Sequence, residues 1–166
     1  NPTELVNQIL YTRAVKTTYE LSLIRKASVI GARGHLAAKE GFEQNLSEFE
    51  IHIKFLEATG LNEHALPYGN IVAQNDHASL LHYQHQERHV PDPILSLLID
   101  AGGSYKGYAS DITRTYCTST EHEVLETEVF RSLILAITKL KDIIIAEACD
   151  GTSFVDLQKL MHQTLA

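Results

Sequence analysis

The fold is decided by residues 97–115, whose sequence is LLIDAGGSYKGYASDITRT. The run at residues 94–99 leads into this stretch, and because it is largely apolar on both faces it predicts a buried strand. A second strand is predicted over residues 108–116. Lys106 and Gly107 stand between the two strands, and glycine supplies the positive φ that a two-residue turn requires. The stretch therefore predicts a β-hairpin.

The predicted hairpin carries two carboxylates, Asp100 and Asp111. An even-length tight turn puts both on one face, directly opposite or diagonal, about 5–8 Å apart. Two like charges so placed repel each other, and strand alternation sends Arg114 to the opposite face. A divalent metal ion is one candidate for the missing counter-charge. The alternative is a pair of carboxylates solvated at the strand ends, and two carboxylates alone are too few for a stable transition-metal site.

Two helices are predicted before the hairpin. Thr17 and Ser47 each stand three residues before a glutamate, which is the spacing of a capping box. Gly41 and Gly60 are the expected ends of these helices. Residues 1–16 give no clear period and are interpreted as a connecting segment.

The helical pattern returns after the hairpin. Residues 121–148 again have a helical period, and the run 153–157 resembles the capped start at residues 47–51. The helix–link–helix order of residues 17–59 therefore begins again, which indicates an internal repeat whose second copy is cut short. Shared capping chemistry without any repeat is the alternative.

The middle of the chain is rich in histidine. Residues 70–73 and 79–83 predict short strands, and the second of these contains His82. A histidine beside apolar neighbours is more often a packed, hydrogen-bonded residue than a metal ligand. His85 and His89 are four residues apart, but they lack the glutamate of a helical zinc pair.

Composition and charge exclude several function classes. The formal net charge is −7, and without a basic stripe to replace phosphate counterions no nucleic acid is expected as a partner. No apolar run approaches the roughly 20 residues that cross a bilayer, and the amino terminus has no secretory signal, so no membrane partner is expected either. Cys117 and Cys149 have neither metal-type nor redox-type spacing, which is typical of free thiols in a reducing cytoplasm.

Several motifs stand at the spacing of one known protein family. They comprise residues 98–102, 105–115, 67–73, 75, 77, 81–83, 25–27 and 47–49. In these motifs the chain resembles the pita-bread metallopeptidases, which include the methionine aminopeptidases, aminopeptidase P and prolidase. The Leu-His-Tyr form of residues 81–83 is similar to the Xaa-Pro dipeptidase (prolidase) branch and unlike the methionine aminopeptidases. The resemblance covers residues 13–166.

The resemblance implies an α+β fold, with helices packed on an antiparallel sheet as in the first half of the pita-bread fold. Residues 1–16 would be a linker from a missing amino-terminal domain, and residues 17–166 the amino-terminal part of the catalytic domain. The family takes a further His and two Glu as ligands from the second half, which is expected to be missing. An exposed apolar patch is therefore expected.

The resemblance also implies roles for individual residues. Asp100 would bind one divalent ion through both oxygens, and Asp111 would bridge two ions, with Mn²⁺ expected first and Co²⁺ or Zn²⁺ as alternatives. His82 would be catalytic, donating a hydrogen bond to the substrate or to the oxyanion. Tyr68 and Thr113 are implied in substrate contact and in support of the bridging water. The 166-residue segment alone need not hold metal.

The implied activity is hydrolysis of Xaa-Pro dipeptides by a metal-activated water, in a cytoplasmic parent protein that forms a homodimer. The segment alone is expected to be inactive. Two alternatives remain, an aminopeptidase P-type Xaa-Pro aminopeptidase and a non-catalytic binding relative of the same fold.

Overall fold

The computed structural model describes residues 2–118 and 125–165. The chain divides into two compact units, Asn1–Thr115 and Tyr116–Ala166. Its described helices and antiparallel strands confirm the predicted α+β class. Within the described ranges, every helix is too short or too polar to cross a membrane.

The first unit begins with helix α1, Pro2–Ala14, in the segment where the sequence shows no period. All of its residues are exposed, and an apolar stripe exists only where a helix buries one face. Sequence patterning therefore missed this helix. Its role as a linker stays a prediction.

Helices α2, Thr18–Glu43, and α3, Glu48–Thr59, begin at the predicted capping boxes. Helix α3 ends at Gly60, whose φ of 68° confirms the predicted stop. The predicted end of α2 at Gly41 is wrong. Gly41 is buried within the helix, because α3 packs where its side chain would be, and the left-handed residue after α2 is Asn45, at φ 57°.

The sheet contains strands β1, Ile71–Gln74, β2, Ser96–Ala101, and β5, Ile112–Cys117, in the order β1-β2-β5. Strands β1 and β2 are antiparallel, with Ile71 opposite Asp100. A second ladder pairs β3, Ser104–Tyr105, with β4, Tyr108–Ala109. The predicted turn between them is confirmed, because Lys106 and Gly107 have φ values of 49° and 82°.

The returning arm of the hairpin is not the single strand predicted over residues 108–116. It is interrupted at Ser110 and Asp111, between β4 and β5. The Ser110 hydroxyl accepts the Gly103 N–H at 2.9 Å and donates to the Ala27 carbonyl of α2 at 3.2 Å. The chain bonds to the helix at this point, so the ladder is broken and Asp111 lies in the break.

The strand predicted over residues 79–83 is also wrong. A 3-10 helix, Asn75–Ser79, ends there, and the chain continues as an irregular loop in which Leu81 is 87% exposed. The side chain of Asn75 bonds to the Pro93 carbonyl and to the N–H groups of residues 95 and 96. These bonds hold the loop ends together without a strand.

The hairpin lies directly on α2 because two glycines allow their backbones to meet. A Cβ added to Gly103 would lie 2.5 Å from the Gly31 nitrogen and 2.7 Å from the Ala27 carbonyl oxygen. Side chains from α2, α3 and the sheet form the core around this contact, including Leu23, Ala27, Ile51, Phe55, Val72, Leu97 and Ile99.

The second unit contains helices α4, Leu125–Glu147, and α5, Phe154–Leu165, which pack against each other. The hydroxyl of Ser153 accepts the Asp156 N–H at 3.1 Å and caps α5. The order of α4, a link and α5 confirms the predicted helix–link–helix order. Helix α5 has 12 residues, as α3 has. The predicted start at residue 121 lies outside the described residues. The predicted apolar face of α4 is largely exposed, with Leu133 at 57% and Ile137 at 53%.

Candidate metal centre

The hairpin and the segment before β1 bring three site residues together. The Tyr68 hydroxyl lies 2.8 Å from Asp100 Oδ1 and 2.9 Å from Asp111 Oδ1. The two carboxylate oxygens are therefore within about 6 Å of each other, since each is one hydrogen-bond length from the same phenol oxygen. A phenol has one proton, so it donates to one of the two carboxylates at a time.

Backbone contacts fix the position of these groups. A Cβ at Gly102 would lie 2.1 Å from the Ser110 carbonyl oxygen and 3.0 Å from Cε1 of Tyr68. Only glycine therefore lets the tyrosine ring approach the hairpin. On the other side, His35 Nε2 lies 3.0 Å from the carbonyl oxygen of Ala101, the residue after Asp100. Burial lowers the pKa of His35, which favours a neutral ring that donates this hydrogen bond.

The two carboxylates converge on Tyr68 with no described cationic side chain paired to either of them. Among the described residues, neither Asp100 nor Asp111 forms an ion pair, and the Arg114 guanidinium donates to the Thr113 carbonyl instead. Burial, followed by the hydrogen bonds to the two aspartates, raises the pKa of Tyr68, so the group between them is a neutral phenol.

This arrangement fits part of a divalent-metal site. Carboxylate oxygens are hard ligands, and two of them converge where no described side chain neutralises their charge. Within residues 2–118 and 125–165, no group of three or more His, Cys, Asp or Glu is placed to hold a metal ion. The described residues therefore offer two converging carboxylates and no complete set of metal ligands.

His82 lies on the loop after the 3-10 helix, in a left-handed conformation with φ 56°. Such a conformation costs a non-glycine residue about 1–2 kcal/mol and is concentrated at functional sites. The next two residues anchor the loop, since Tyr83 is 6% exposed and Gln84 donates to the Gly69 carbonyl at 3.1 Å. Gly69 follows Tyr68, so the loop contacts the segment that carries the site tyrosine.

Two predicted site residues are not joined to the others by a hydrogen bond. The exposed side chains of His82 and Thr113 make none within the described part of the chain. Their predicted contacts are with substrate and water, and these remain predictions. The hydroxyl of Tyr68, predicted to contact substrate, is engaged by the two aspartates.

Two buried residues around the site were not singled out from the sequence. His35 lies in the apolar stripe of α2, where the sequence alone does not distinguish a histidine that supports a site from one that is simply packed in the core. Glu48 is at the first position of α3 and is 1% exposed. Acidic residues in the first turn of a helix are common because they complement the helix dipole, so its position in the sequence does not predict that Glu48 is buried.

Known sequences show a relationship to one metallopeptidase family. The profile of metallopeptidase family M24 matches residues 22–166. The Xaa-Pro dipeptidase of Shewanella loihica is 48% identical over 166 residues, which is 100% of this chain and 36% of the relative. The Xaa-Pro dipeptidase of Proteus mirabilis is 42% identical, with the same coverage. The chain thus spans 36% of the length of these curated relatives.

Solved structures show the same relationship. Zinc-substituted Escherichia coli aminopeptidase P in complex with product superposes with a TM-score of 0.75 at 25% identity, covering 90% of this chain and 33% of that chain. A substituted form of the same enzyme in complex with substrate gives a TM-score of 0.77 at 25% identity, with the same coverage. The chain belongs to metallopeptidase family M24.

Proposed function

We propose that the chain is a segment of a longer metallopeptidase that hydrolyses Xaa-Pro dipeptides. The observation that carries the proposal is the convergence of Asp100 and Asp111 on one phenol, without an ion-pair partner among the described residues. The 48% identity to an Xaa-Pro dipeptidase over the whole chain supports the same activity.

Asp100 and Asp111 would hold two divalent ions together with ligands from outside these 166 residues. When bound, the ions would activate the attacking water and offset negative charge on the carbonyl oxygen. Mn²⁺ is the first expectation for the metal, with Co²⁺ and Zn²⁺ as alternatives. The Tyr68 hydroxyl keeps the two carboxylates facing each other, because it is within hydrogen-bonding distance of both.

His82 would donate a hydrogen bond to the substrate carbonyl or to its developing oxyanion. A donor placed where negative charge develops is worth about 10²–10³ in kcat. The left-handed backbone and the exposed ring of His82 support this role, since the ring has no described protein partner to satisfy. Thr113, exposed on β5, would contact substrate or support the attacking water.

A second activity of the same class is favoured by the structural neighbours. Both solved structures are of aminopeptidase P, which would imply Xaa-Pro peptides longer than two residues. The identity to those proteins is 25%, against 48% and 42% for the Xaa-Pro dipeptidases. We therefore place the dipeptidase first.

The segment of 166 residues would be inactive by itself, because its described residues supply two carboxylates and no further ligand cluster. The longer protein would act as a homodimer in the cytoplasm. Gel filtration of the longer protein with light scattering tests the dimer, and a mass of one chain would contradict it.

The activity is tested with the full-length parent protein and Mn²⁺, on an Xaa-Pro dipeptide and on a longer Xaa-Pro peptide. Faster hydrolysis of the dipeptide, lost in Asp111→Asn and retained in Asp142→Asn, is expected. Asp142 is a matched control because its side chain is 67% exposed and pairs with Lys141 on α4. Preference for the longer peptide would select the aminopeptidase, and hydrolysis of neither would refute the proposal.

A further inference from the structure

Glu48 is a buried carboxylate that the proposed chemistry does not use. It is 1% exposed, and each of its oxygens has two hydrogen-bond partners. Oε1 lies 2.7 Å from the Gln74 nitrogen and 2.8 Å from His77 Nδ1. Oε2 lies 2.7 Å from the Tyr83 hydroxyl and 2.8 Å from the Glu87 nitrogen. All four partners can act as donors to a carboxylate.

These four partners come from three different segments. Gln74 ends β1, His77 lies in the 3-10 helix, and Tyr83 and Glu87 belong to the irregular loop at residues 80–95. A single carboxylate at the start of α3 therefore joins this helix to β1, to the 3-10 helix and to the irregular loop. A carboxylate at this position is also favoured by the positive end of the helix dipole.

The loop is held to α3 by further contacts next to Glu48. The Phe49 N–H donates to the Glu87 carbonyl at 3.1 Å, so the backbones of helix and loop are joined. The Arg88 guanidinium lies 3.8 Å from the centre of the Phe49 ring, within range of a cation–π interaction. These contacts hold the loop to α3, although the loop forms no strand and no β-ladder.

Tyr83 links this cluster to His82, its neighbour in sequence. The Tyr83 ring is stacked on His77, with centroids 4.6 Å apart, and its hydroxyl donates to Glu48. Because His82 has φ 56°, its side chain direction depends on a backbone conformation that the chain would not adopt without support. The residue that follows it is Tyr83, whose burial and hydrogen bond fix the chain next to His82.

We propose that Glu48 is a positioning residue that holds His82 in its working conformation through Tyr83. The role rests on the proposed function, because it is there that His82 acts on substrate. Glu48 itself touches neither the two aspartates nor Tyr68 among the described hydrogen bonds, so it acts only through the loop.

Tyr83→Phe is the sharpest variant, because it removes one hydroxyl and leaves the two backbone bonds of Glu48 in place. Glu48→Gln is the second variant, since its amide nitrogen cannot accept an N–H. Tyr19→Phe, on a side chain that is 66% exposed, and Glu50→Gln, in the same helix turn, are the matched controls.

The test measures kcat and KM of the full-length parent protein for an Xaa-Pro dipeptide, with and without His82→Ala. We expect Tyr83→Phe and Glu48→Gln to lower kcat about tenfold, the loss that follows from one misplaced hydrogen bond. In the His82→Ala background the same substitutions should lower kcat less than about twofold, since interacting sites are not additive. Equal losses in both backgrounds would overturn the proposal, because the effect would then not pass through His82.

Hydrogen exchange of the amides at residues 80–90 separates this proposal from the proposed function. Faster exchange in Tyr83→Phe and Glu48→Gln, but not in the controls, is expected whether or not the protein is a peptidase. Unchanged exchange in both variants would overturn the positioning role. If the unsubstituted protein hydrolyses no Xaa-Pro peptide, the proposed function fails, and faster exchange alone would still support the hold of Glu48 on the loop.

Discussion

Tyr68→Phe removes the hydroxyl that lies between the two aspartates, and its effect on stability can be worked from the structure. The phenol donates to one carboxylate at a time, and a hydrogen bond to a charged group is worth about 1.5–3 kcal/mol. The repulsion between the two carboxylates is present with and without the hydroxyl, so the hydrogen bond sets the difference. We therefore expect the metal-free chain to lose about 1.5–3 kcal/mol of unfolding free energy at neutral pH.

Urea denaturation followed by circular dichroism measures this loss, and it suits a chain without tryptophan. Tyr105→Phe is the matched control, because the Tyr105 hydroxyl makes no hydrogen bond within the described residues and the substitution keeps the ring that Lys26 and Lys106 approach. That variant should stay within about 0.5 kcal/mol of the unsubstituted chain. Equal midpoints for the two variants would refute the idea that Tyr68 holds the carboxylate pair.

Three further predictions concern other parts of the same structure. Gly103→Ala should lower the unfolding free energy by about 3 kcal/mol, since its Cβ would meet backbone atoms at 2.5 and 2.7 Å. Gly60→Ala, in open space at φ 68°, should lower it by about 1 kcal/mol. Similar losses for the two variants in urea denaturation would contradict the close approach of the hairpin to α2. Because the folded-state pKa of Tyr68 is raised, its contribution to stability is full below about pH 10 and is lost as the pH rises further; Tyr68→Phe should flatten that alkaline fall, and an unchanged slope would count against it. In the full-length parent, His82→Ala should lower kcat about 10²–10³-fold while the exposed control His64→Ala leaves it unchanged, and equal kcat values would remove His82 from the chemistry.

Local sequence chemistry predicted much of the fold. The capping boxes at Thr17 and Ser47, and the turn at Lys106 and Gly107, were predictable because each depends on a few neighbouring residues. The break of the returning strand was not predictable in this way. It depends on the Ser110 hydroxyl reaching a carbonyl of α2, 83 residues away in sequence.

The candidate site was likewise predictable where it depends on neighbouring residues, and not where it depends on contacts distant in sequence. Strand parity predicted that Asp100 and Asp111 lie close together and that Arg114 is not their partner. The structure brings both aspartates to one phenol and has Arg114 donate to the Thr113 carbonyl, but Asp111 lies in a break of the strand and not within it. The contact of Tyr68 with both carboxylates was not foreseen, because it joins segments 32 and 43 residues apart. The burial of Glu48 was hidden for the same reason, since all four of its partners are distant in sequence.

The central claim is that Asp100 and Asp111 are two ligands of a divalent-metal site. Its most direct test is calorimetric titration of the metal-free, full-length parent protein with Mn²⁺, beside the variants Asp100→Asn and Asp111→Asn and the exposed control Asp142→Asn. We expect two ions per chain for the unsubstituted protein and the control, and weakened binding of at least one ion in each site variant. Unchanged stoichiometry and affinity in both site variants would contradict the claim.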